Sequence, residues 1–128
     1  MVLIGNNLLA SSSWDTQVKI WNLISYQVKF NLTGHTDKVL GLKLVNMTLL
    51  ASASQDTTVR LWNIVFGKLV AILRGHTNAI YGSIDLFELG VLITGSSDQE
   101  IKLWNIETKR EKNSYSTNFT IQSLTLIN

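Results

Sequence analysis

Serine, histidine and aspartate recur together along this chain, and these residue types can carry out nucleophilic hydrolysis. In such a site a histidine takes the proton of a serine hydroxyl while an aspartate orients the imidazole ring. The two full sets are His35, Ser52 and Asp56, then His76, Thr94 and Asp98, with threonine in place of serine. Neither set is accompanied by a nucleophile elbow or by a glycine motif for an oxyanion hole. Repetition of one trio along a chain is typical of a structural network, so the sequence predicts no catalytic residue and no enzyme.

His35 and His76 are also candidate metal ligands, because a neutral imidazole binds zinc and other transition metals. They occupy equivalent places in a repeated unit, however, and would therefore lie in neighbouring units instead of converging on one ion. The chain has no cysteine, which excludes thiolate ligands and disulfides. The sequence therefore predicts no metal site and no cofactor.

The unit that positions these residues is a sequence repeat of 41 or 42 residues. Its clearest mark is an aliphatic-Trp-Asn string, found at residues 20–22, 61–63 and 103–105. A second mark is a mostly aliphatic stretch, found at residues 8–11, 49–52 and, more loosely, 91–94. An aspartate follows each stretch by four residues, as Asp15, Asp56 and Asp98. A fixed period in this range indicates a repeat architecture, which presents surfaces more often than active sites.

Four short strands are predicted in the middle repeat, at residues 38–44, 49–53, 58–62 and 68–73. Alternation with period two and turn residues between the strands favour an all-β fold. Both faces of the second and third strands carry apolar side chains, so each sheet must be covered on two sides. Stacked sheets that rotate from one repeat to the next provide this cover and close into a ring. The first strands carry a small residue where they would converge on the axis, namely Gly41, Gly82 or Ser123.

Composition excludes several other classes of protein. With 128 residues, of which 45% are hydrophobic and 16% charged, the chain is one globular domain. Its net charge is only +2 and no lysine or arginine cluster is present, so we expect no nucleic-acid partner. The sequence contains no apolar run of about 20 residues, and its first residues lack the features of a signal peptide. We therefore expect no membrane contact and an intracellular, cytoplasmic location.

The repeats resemble the WD-repeat family of β-propellers over essentially the whole chain. This resemblance is carried by the three tryptophan strings, the three turn aspartates and the two Gly-His pairs, at residues 34–35 and 75–76. It implies a partial β-propeller of three four-stranded antiparallel blades, forming one domain over residues 1–128. The three repeats are expected at about residues 1–41, 42–83 and 84–128. Residues 1–5 align with the end of a first strand, and residues 121–128 align with another first strand.

The resemblance also implies a structural tetrad in each blade, joining a histidine, a serine or threonine, the turn aspartate and the third-strand tryptophan. The complete tetrads are His35, Ser52, Asp56 and Trp62, and then His76, Thr94, Asp98 and Trp104. Ser11, Asp15 and Trp21 supply three members of another, for which the chain has no histidine. A fully satisfied network of this kind would fix the loop between neighbouring sheets.

Trp14 is the single residue best suited to partner binding, because its repeat counterparts Gln55 and Ser97 are polar. It stands just before a turn aspartate, and tryptophan is enriched among the anchors of protein interfaces. Packing of Trp14 against the neighbouring turn is an equally strong alternative. The candidate partner-binding residues on this side are Trp14, Asp37, Lys38, Gln55, Asn78, Tyr81 and Ser97.

By its resemblance, the chain is interpreted as a non-catalytic scaffold for interactions with other proteins. It is either a fragment of a longer propeller or an arc that self-associates through its terminal strands, with residues 119–127 at the contact. Three blades would close a six-blade ring as a dimer or a nine-blade ring as a trimer. The alternative is a sensor or regulatory repeat region of a multidomain protein whose effector domain is absent here.

Overall fold

A computed structural model of the protein describes residues 1–125 and residue 127. In this part of the chain all regular structure is β, in three four-stranded sheets. The first sheet contains β1 (Val2–Ile4), β2 (Leu8–Ser12), β3 (Val18–Asn22) and β4 (Gln27–Leu32). The middle sheet contains β5 (Val39–Asn46), β6 (Leu49–Ser54), β7 (Val59–Asn63) and β8 (Lys68–Leu73). The third sheet contains β9 (Ile84–Glu88), β10 (Val91–Gly95), β11 (Glu100–Asn105) and β12 (Arg110–Ser116).

Each sheet is an antiparallel meander whose strands lie side by side in chain order. The predicted all-β partial propeller of three four-stranded blades is therefore confirmed. The boundary expected between residues 41 and 42 falls inside β5, because the middle sheet starts with this strand, which follows Gly34 and His35. Among the described residues, no helix is long and apolar enough to cross a membrane.

The hydrophobic core consists of two layers, one on each face of the middle sheet. Leu50 and Trp62 are opposite each other on β6 and β7 and pack toward the first sheet. Ala51 and Leu61, the next pair, pack toward the third sheet. All four side chains are at most 2% exposed. The two-faced apolar pattern of these strands is thus satisfied by a neighbouring sheet on each side.

β5, the first strand of the middle sheet, lies close to the segment that leads into β9 at Gly41 and Gly82. A Cβ atom on Gly41 would lie 3.2 Å from the Gly82 Cα and 2.8 Å from the Ile84 Cγ2. A side chain at position 41 would therefore displace the neighbouring inner strand. Gly82 itself precedes β9 instead of lying within it.

The connections between strands lie at two opposite edges, as the meander requires. The upper rim contains the turn between the second and third strands of each sheet, and the loop that follows the fourth strand. These lie at residues 13–17, 33–38, 55–58, 74–83, 96–99 and 117–120. The lower edge contains the first and last turns of each sheet, at residues 5–7, 23–26, 47–48, 64–67, 89–90 and 106–109.

The C-terminal segment differs from the prediction of another first strand over residues 121–128. Residues 121–125 and 127 have no strand structure, and Leu126 and Asn128 lie outside the described residues. No second strand pairs with the described part of this segment, and a ladder needs one. Ile121 is nevertheless buried, and its Cγ2 occupies the space that a Cβ on Gly95 would need. The segment thus packs on the third sheet without joining it.

Candidate functional site

The middle sheet brings its four predicted tetrad residues into one hydrogen-bond network. His35 Nδ1–H donates to Asp56 Oδ2 at 2.7 Å, since a carboxylate can only accept. His35 Nε2 then accepts from the Ser52 hydroxyl at 2.7 Å, and Trp62 Nε1–H donates to the same Ser52 oxygen at 2.8 Å. The network joins the loop before β5 to β6, β7 and the turn between them.

The third sheet repeats this geometry with threonine in place of serine. His76 Nδ1–H donates to Asp98 Oδ2 at 2.7 Å, and Nε2 accepts from Thr94 Oγ1 at 2.8 Å. Trp104 Nε1–H donates to Thr94 Oγ1 at 2.8 Å. Each histidine ring also meets its tryptophan edge-on, with ring centroids 6.3 and 6.0 Å apart.

The first sheet has only part of the network. Trp21 Nε1–H donates to Ser11 Oγ at 2.8 Å, as in the other sheets. Asp15 is exposed and accepts a hydrogen bond from the backbone N–H of Gln17 at 3.0 Å. No histidine bridges Ser11 and Asp15 within the described residues, so this set does not hold a preceding loop.

The electrostatics favour a charged aspartate in both complete networks and a neutral histidine in that of the third sheet. Burial alone would raise the pKa of Asp56, but hydrogen bonds from His35, Thr58 and the Thr36 backbone outweigh it and hold that pKa far below its ordinary value. The pKa of Asp98 is likewise lowered, because backbone N–H groups and His76 outweigh the effect of burial. Burial lowers the pKa of His76, against the attraction of Asp98.

This arrangement has the residue types of a hydrolytic relay but no path to a substrate. Ser52 is 0% exposed, its hydroxyl hydrogen is directed to His35, and its oxygen accepts from Trp62. A nucleophile must reach the atom that it attacks. The network can therefore fix a loop to a sheet, and it offers no reactive hydroxyl at the surface. No group of metal-ligating side chains occurs in the part of the chain that the structure describes.

Several residues of these networks were not predicted as members. Ser54 accepts the Asp56 N–H at 3.0 Å and donates to the Asp37 carbonyl at 2.9 Å, and Ser96 does the same work in the third sheet. Thr58 donates to Asp56 at 2.6 Å. The role of these serines could have been predicted, because a Ser-x-Asp pattern occurs at the turn between the second and third strands of every sheet.

The same serines link each sheet to the segment that follows it. The backbone carbonyls of Ser13, Ser54 and Ser96 each accept one N–H at 3.1 Å, from Val39, Ile80 and Ile121 respectively. The third link is made by the C-terminal segment, with the geometry of the two links that join sheets. The C-terminal segment thus packs on the outer face of the third sheet. It occupies the position from which the next sheet begins in the other two links.

The sequence also contains a basic residue in the third strand of each sheet, for which no role was predicted. Lys102 is 5% exposed and its Nζ pairs with Glu100 at 2.7 Å and with Glu111 at 3.1 Å. Burial would lower the pKa of Lys102, but these two carboxylates raise it above its ordinary value. Its counterpart Arg60 has no such pair, and its Nε is buried without a hydrogen-bond partner. Burial lowers the pKa of Arg60.

The predicted partner-binding residues lie together on the upper rim. Trp14 is 72% exposed, and Lys38 Nζ lies 4.4 Å from the centre of its ring. The remaining members include exposed and half-buried side chains, namely Asp37 and Asn78, and then Gln55, Tyr81 and Ser97. The rim is therefore polar around one tryptophan, and a lysine already covers part of that ring.

Comparison with known families gives one match. The family described as WD domain, G-beta repeat (WD40) matches residues 4–22, 26–63 and 67–105, which together make up three quarters of the chain. The second stretch runs from the start of β4 to the end of β7, so one family repeat combines the outer strand of one sheet with three strands of the next. No curated protein matches the chain.

Proposed function

Because the chain belongs to the WD40 repeat family, we propose that it is a non-catalytic scaffold that binds other proteins through the turns and loops of its sheets. Repeats of this family generally mediate protein–protein interactions. The observation that carries the proposal is the use of every serine, histidine and aspartate set for internal hydrogen bonds. The turns and loops held in place by these bonds are left to present a rigid surface.

The experiment is affinity copurification with the full chain from cell extract, combined with quantitative mass spectrometry. We expect a defined protein to be retained in fixed ratio, and to be lost with Trp62→Ala, which removes a core side chain. Glu107→Gln, at an exposed turn, is the control that should retain it. Retention of no protein above the Trp62→Ala background would contradict the proposal, as would saturable turnover of a substrate that depends on Ser52.

A second candidate is self-assembly of the three-sheet arc, with residues 119–127 at the contact. Two observations favour it: the link from Ile121 to Ser96, and the outer face of the third sheet, where Gly95 accommodates Ile121. Leu126 lies outside the described residues, so the support comes from residues 119–125. In either case we propose that residues 1–128 act as one unit. The alternative function is that of a sensor or regulatory region in a larger protein.

Self-assembly predicts that the purified chain is not a monomer. The reason is that the outer faces of the first and third sheets lack the neighbouring sheet that covers both faces of the middle one, and terminal repeats normally carry polar outer faces. Light scattering at low micromolar concentration should give the mass of a dimer or trimer, and Ile121→Asp should lower it. A monodisperse monomer that unfolds cooperatively would contradict this second candidate while leaving the scaffold proposal standing.

A further inference from the structure

Apolar side chains project from the lower edge, where turn tips are ordinarily polar. The tip of the β7–β8 turn carries Val65 and Phe66, which are 47% and 68% exposed. The tip of the β3–β4 turn carries Ile24 and Tyr26, which are 70% and 86% exposed. Met47, in the turn between β5 and β6, is 63% exposed. Exposed apolar groups that are clustered, and not scattered singly, mark interaction sites.

The fold does not require apolar residues at these tips. In the middle sheet the Asn63 carboxamide oxygen accepts the N–H groups of Val65 and Phe66 at 2.9 and 3.1 Å. In the third sheet Asn105 accepts the N–H of Thr108 at 2.8 Å in the same way. That third tip is Glu107, Thr108 and Lys109, all exposed. Because a polar tip forms the equivalent turn, the apolar tips have to be explained by something outside the fold.

The middle tip forms a continuous surface with the first sheet. Gly67 lies against the ring of Phe30 on β4, so closely that a Cβ on Gly67 would be 2.5 Å from the Phe30 Cδ1. The corresponding residues Tyr26 and Lys109 adopt the same left-handed backbone conformation, with φ of 58° against 66° for Gly67. The glycine is therefore needed less for its φ than for this contact. Phe66 directly precedes this contact in the chain, and Phe30 is half-buried.

Two lysines flank this surface without a balancing acid. Lys29 Nζ lies 5.3 Å from the centre of the Phe30 ring, and Lys68 follows Gly67 directly. Neither lysine forms an ion pair in the described part of the chain. The segments 22–32 and 64–73 contain no aspartate or glutamate at all.

We propose that Val65, Phe66 and Phe30, flanked by Lys29 and Lys68, form the docking surface for an amphipathic protein segment that combines apolar side chains with aspartate or glutamate. The inference rests on the proposed scaffold function and adds to it a binding surface on the lower edge, with its partner chemistry. Charge complementarity selects an acidic segment, and the exposed tips select an apolar one. Ile24, Tyr26 and Met47 extend the surface along the lower edge.

A protein segment fits this edge better than an anionic lipid bilayer does. A flat bilayer would meet the lower turns of all three sheets together, and the third sheet presents the charged Glu107 there beside the exposed Leu89. A bound peptide needs only one or two neighbouring tips, which stacked sheets place roughly 10 Å apart. The surface also extends onto the side of β4 through Phe30, which a bilayer touching the turn tips would not reach.

The test uses a displayed library of random peptides, selected on the immobilised full chain. Selected peptides are synthesised with a fluorophore, and their affinities are measured by fluorescence anisotropy. We expect them to contain aromatic or aliphatic residues together with acidic ones. The double variant Val65→Glu, Phe66→Thr copies the polar tip of the third sheet, and it should weaken binding by about tenfold or more.

Charge and location are tested by three further variants. Lys29→Glu with Lys68→Glu should weaken binding by about threefold or more at low salt, and less at about 0.5 M NaCl, where charges are screened. The matched control Glu107→Gln with Thr108→Ser at the third tip should leave affinity within about twofold. Trp14→Ala, among the binding candidates of the upper rim, distinguishes the two surfaces, since a loss of affinity with this variant alone would place the partner on that rim. Circular dichroism and the melting temperature establish that each variant folds. If the tip variant does not fold, the lysine variant, which leaves the turn unchanged, carries the test.

Five outcomes would overturn the inference. Peptides that bind the tip variant as well as the parent chain, or that lose affinity only with Trp14→Ala, would place the partner elsewhere and leave the scaffold proposal intact. Sedimentation with phosphatidylserine vesicles that depends on the tip, without any tip-dependent peptide, would indicate a membrane partner. A tip variant that changes the mass of the assembled chain would indicate a second copy. Enrichment of no peptide would remove the docking surface, whereas failure of the scaffold itself is decided separately by the copurification.

Discussion

The first and middle sheets carry the same serine, aspartate and tryptophan at the same spacing, yet in different surroundings. Trp62 is 2% exposed between two sheets, and its Ser52 partner also binds His35. Trp21 makes the same bond to Ser11 but is only partly buried. We therefore expect the covering sheet and the histidine, and not the shared residues, to decide how much each set stabilises the fold.

The largest difference is expected from truncating the two tryptophans. Trp62→Ala should lower the free energy of unfolding by about 3–5 kcal/mol, because it leaves a cavity between two packed sheets. Trp21→Ala should cost less, roughly 2 kcal/mol or below, since part of that ring is already in contact with water. Urea denaturation of the two variants measures both values. Equal losses would show that a neighbour covers Trp21 in solution as well.

This contrast also separates what the sequence could predict from what it could not. The strands, the two-faced apolar pattern and the positions of the tetrad residues follow from repetition, which aligns three copies of each element. Burial of Lys102 by Glu100 and Glu111, and the contact of Gly67 with Phe30, depend on side chains from different strands or sheets that share no pattern in the sequence. The strand expected over residues 121–128 failed in residues 121–125 for the same reason, since a sequence match does not supply a pairing partner.

The second prediction concerns coupling within the middle network. His35→Ala and Asp56→Ala should each be destabilising, and the double variant should be less destabilised than the sum, with a coupling of about 0.5–3 kcal/mol. The reason is that either substitution already breaks the 2.7 Å hydrogen bond between the two side chains. Ser11→Ala with Asp15→Ala in the first sheet is the control, in which no histidine joins the pair. A coupling of zero for His35 and Asp56 would contradict the network.

The third prediction concerns the dependence of stability on pH, to which the networks of the middle and third sheets should contribute more than that of the first sheet. The pKa values of Asp56, Asp98 and His76 are all lower in the folded chain than their ordinary values of 3.8 and 6.5. A lowered pKa means that the unfolded chain takes up protons first, so stability is full above the ordinary value and is lost as the pH falls. The loss should begin below about pH 6.5 through His76 and deepen below about pH 4 through the two aspartates.

Two variants assign this pH dependence. Asp56→Asn should lower the free energy of unfolding at pH 7 and flatten its decline below pH 4, because a titrating group has been removed. Asp15→Asn, at the exposed turn of the first sheet, should change the curve much less. The hydrogen bond from the Gln17 backbone also lowers the pKa of Asp15, but its exposed carboxylate is screened by solvent. Chemical denaturation between pH 3 and pH 8 provides the measurement. An unchanged slope in Asp56→Asn would show that other carboxylates cause the acid loss.

The smallest effect is expected at Trp14, which lies outside both sets although it is only one residue from Asp15. Its side chain is 72% exposed, and its main contact is with Lys38, whose Nζ is 4.4 Å from the ring centre. A cation–π contact at an exposed site contributes about 0.5–1 kcal/mol, so Trp14→Ala should lower the free energy of unfolding by no more than about that amount. Lys38→Ala should cost a similar amount, and the two substitutions together should cost little more than either alone. A denaturation midpoint for Trp14→Ala as low as that for Trp62→Ala would mean that Trp14 is buried like a core residue. The distinction between buried and exposed tryptophans would then be wrong.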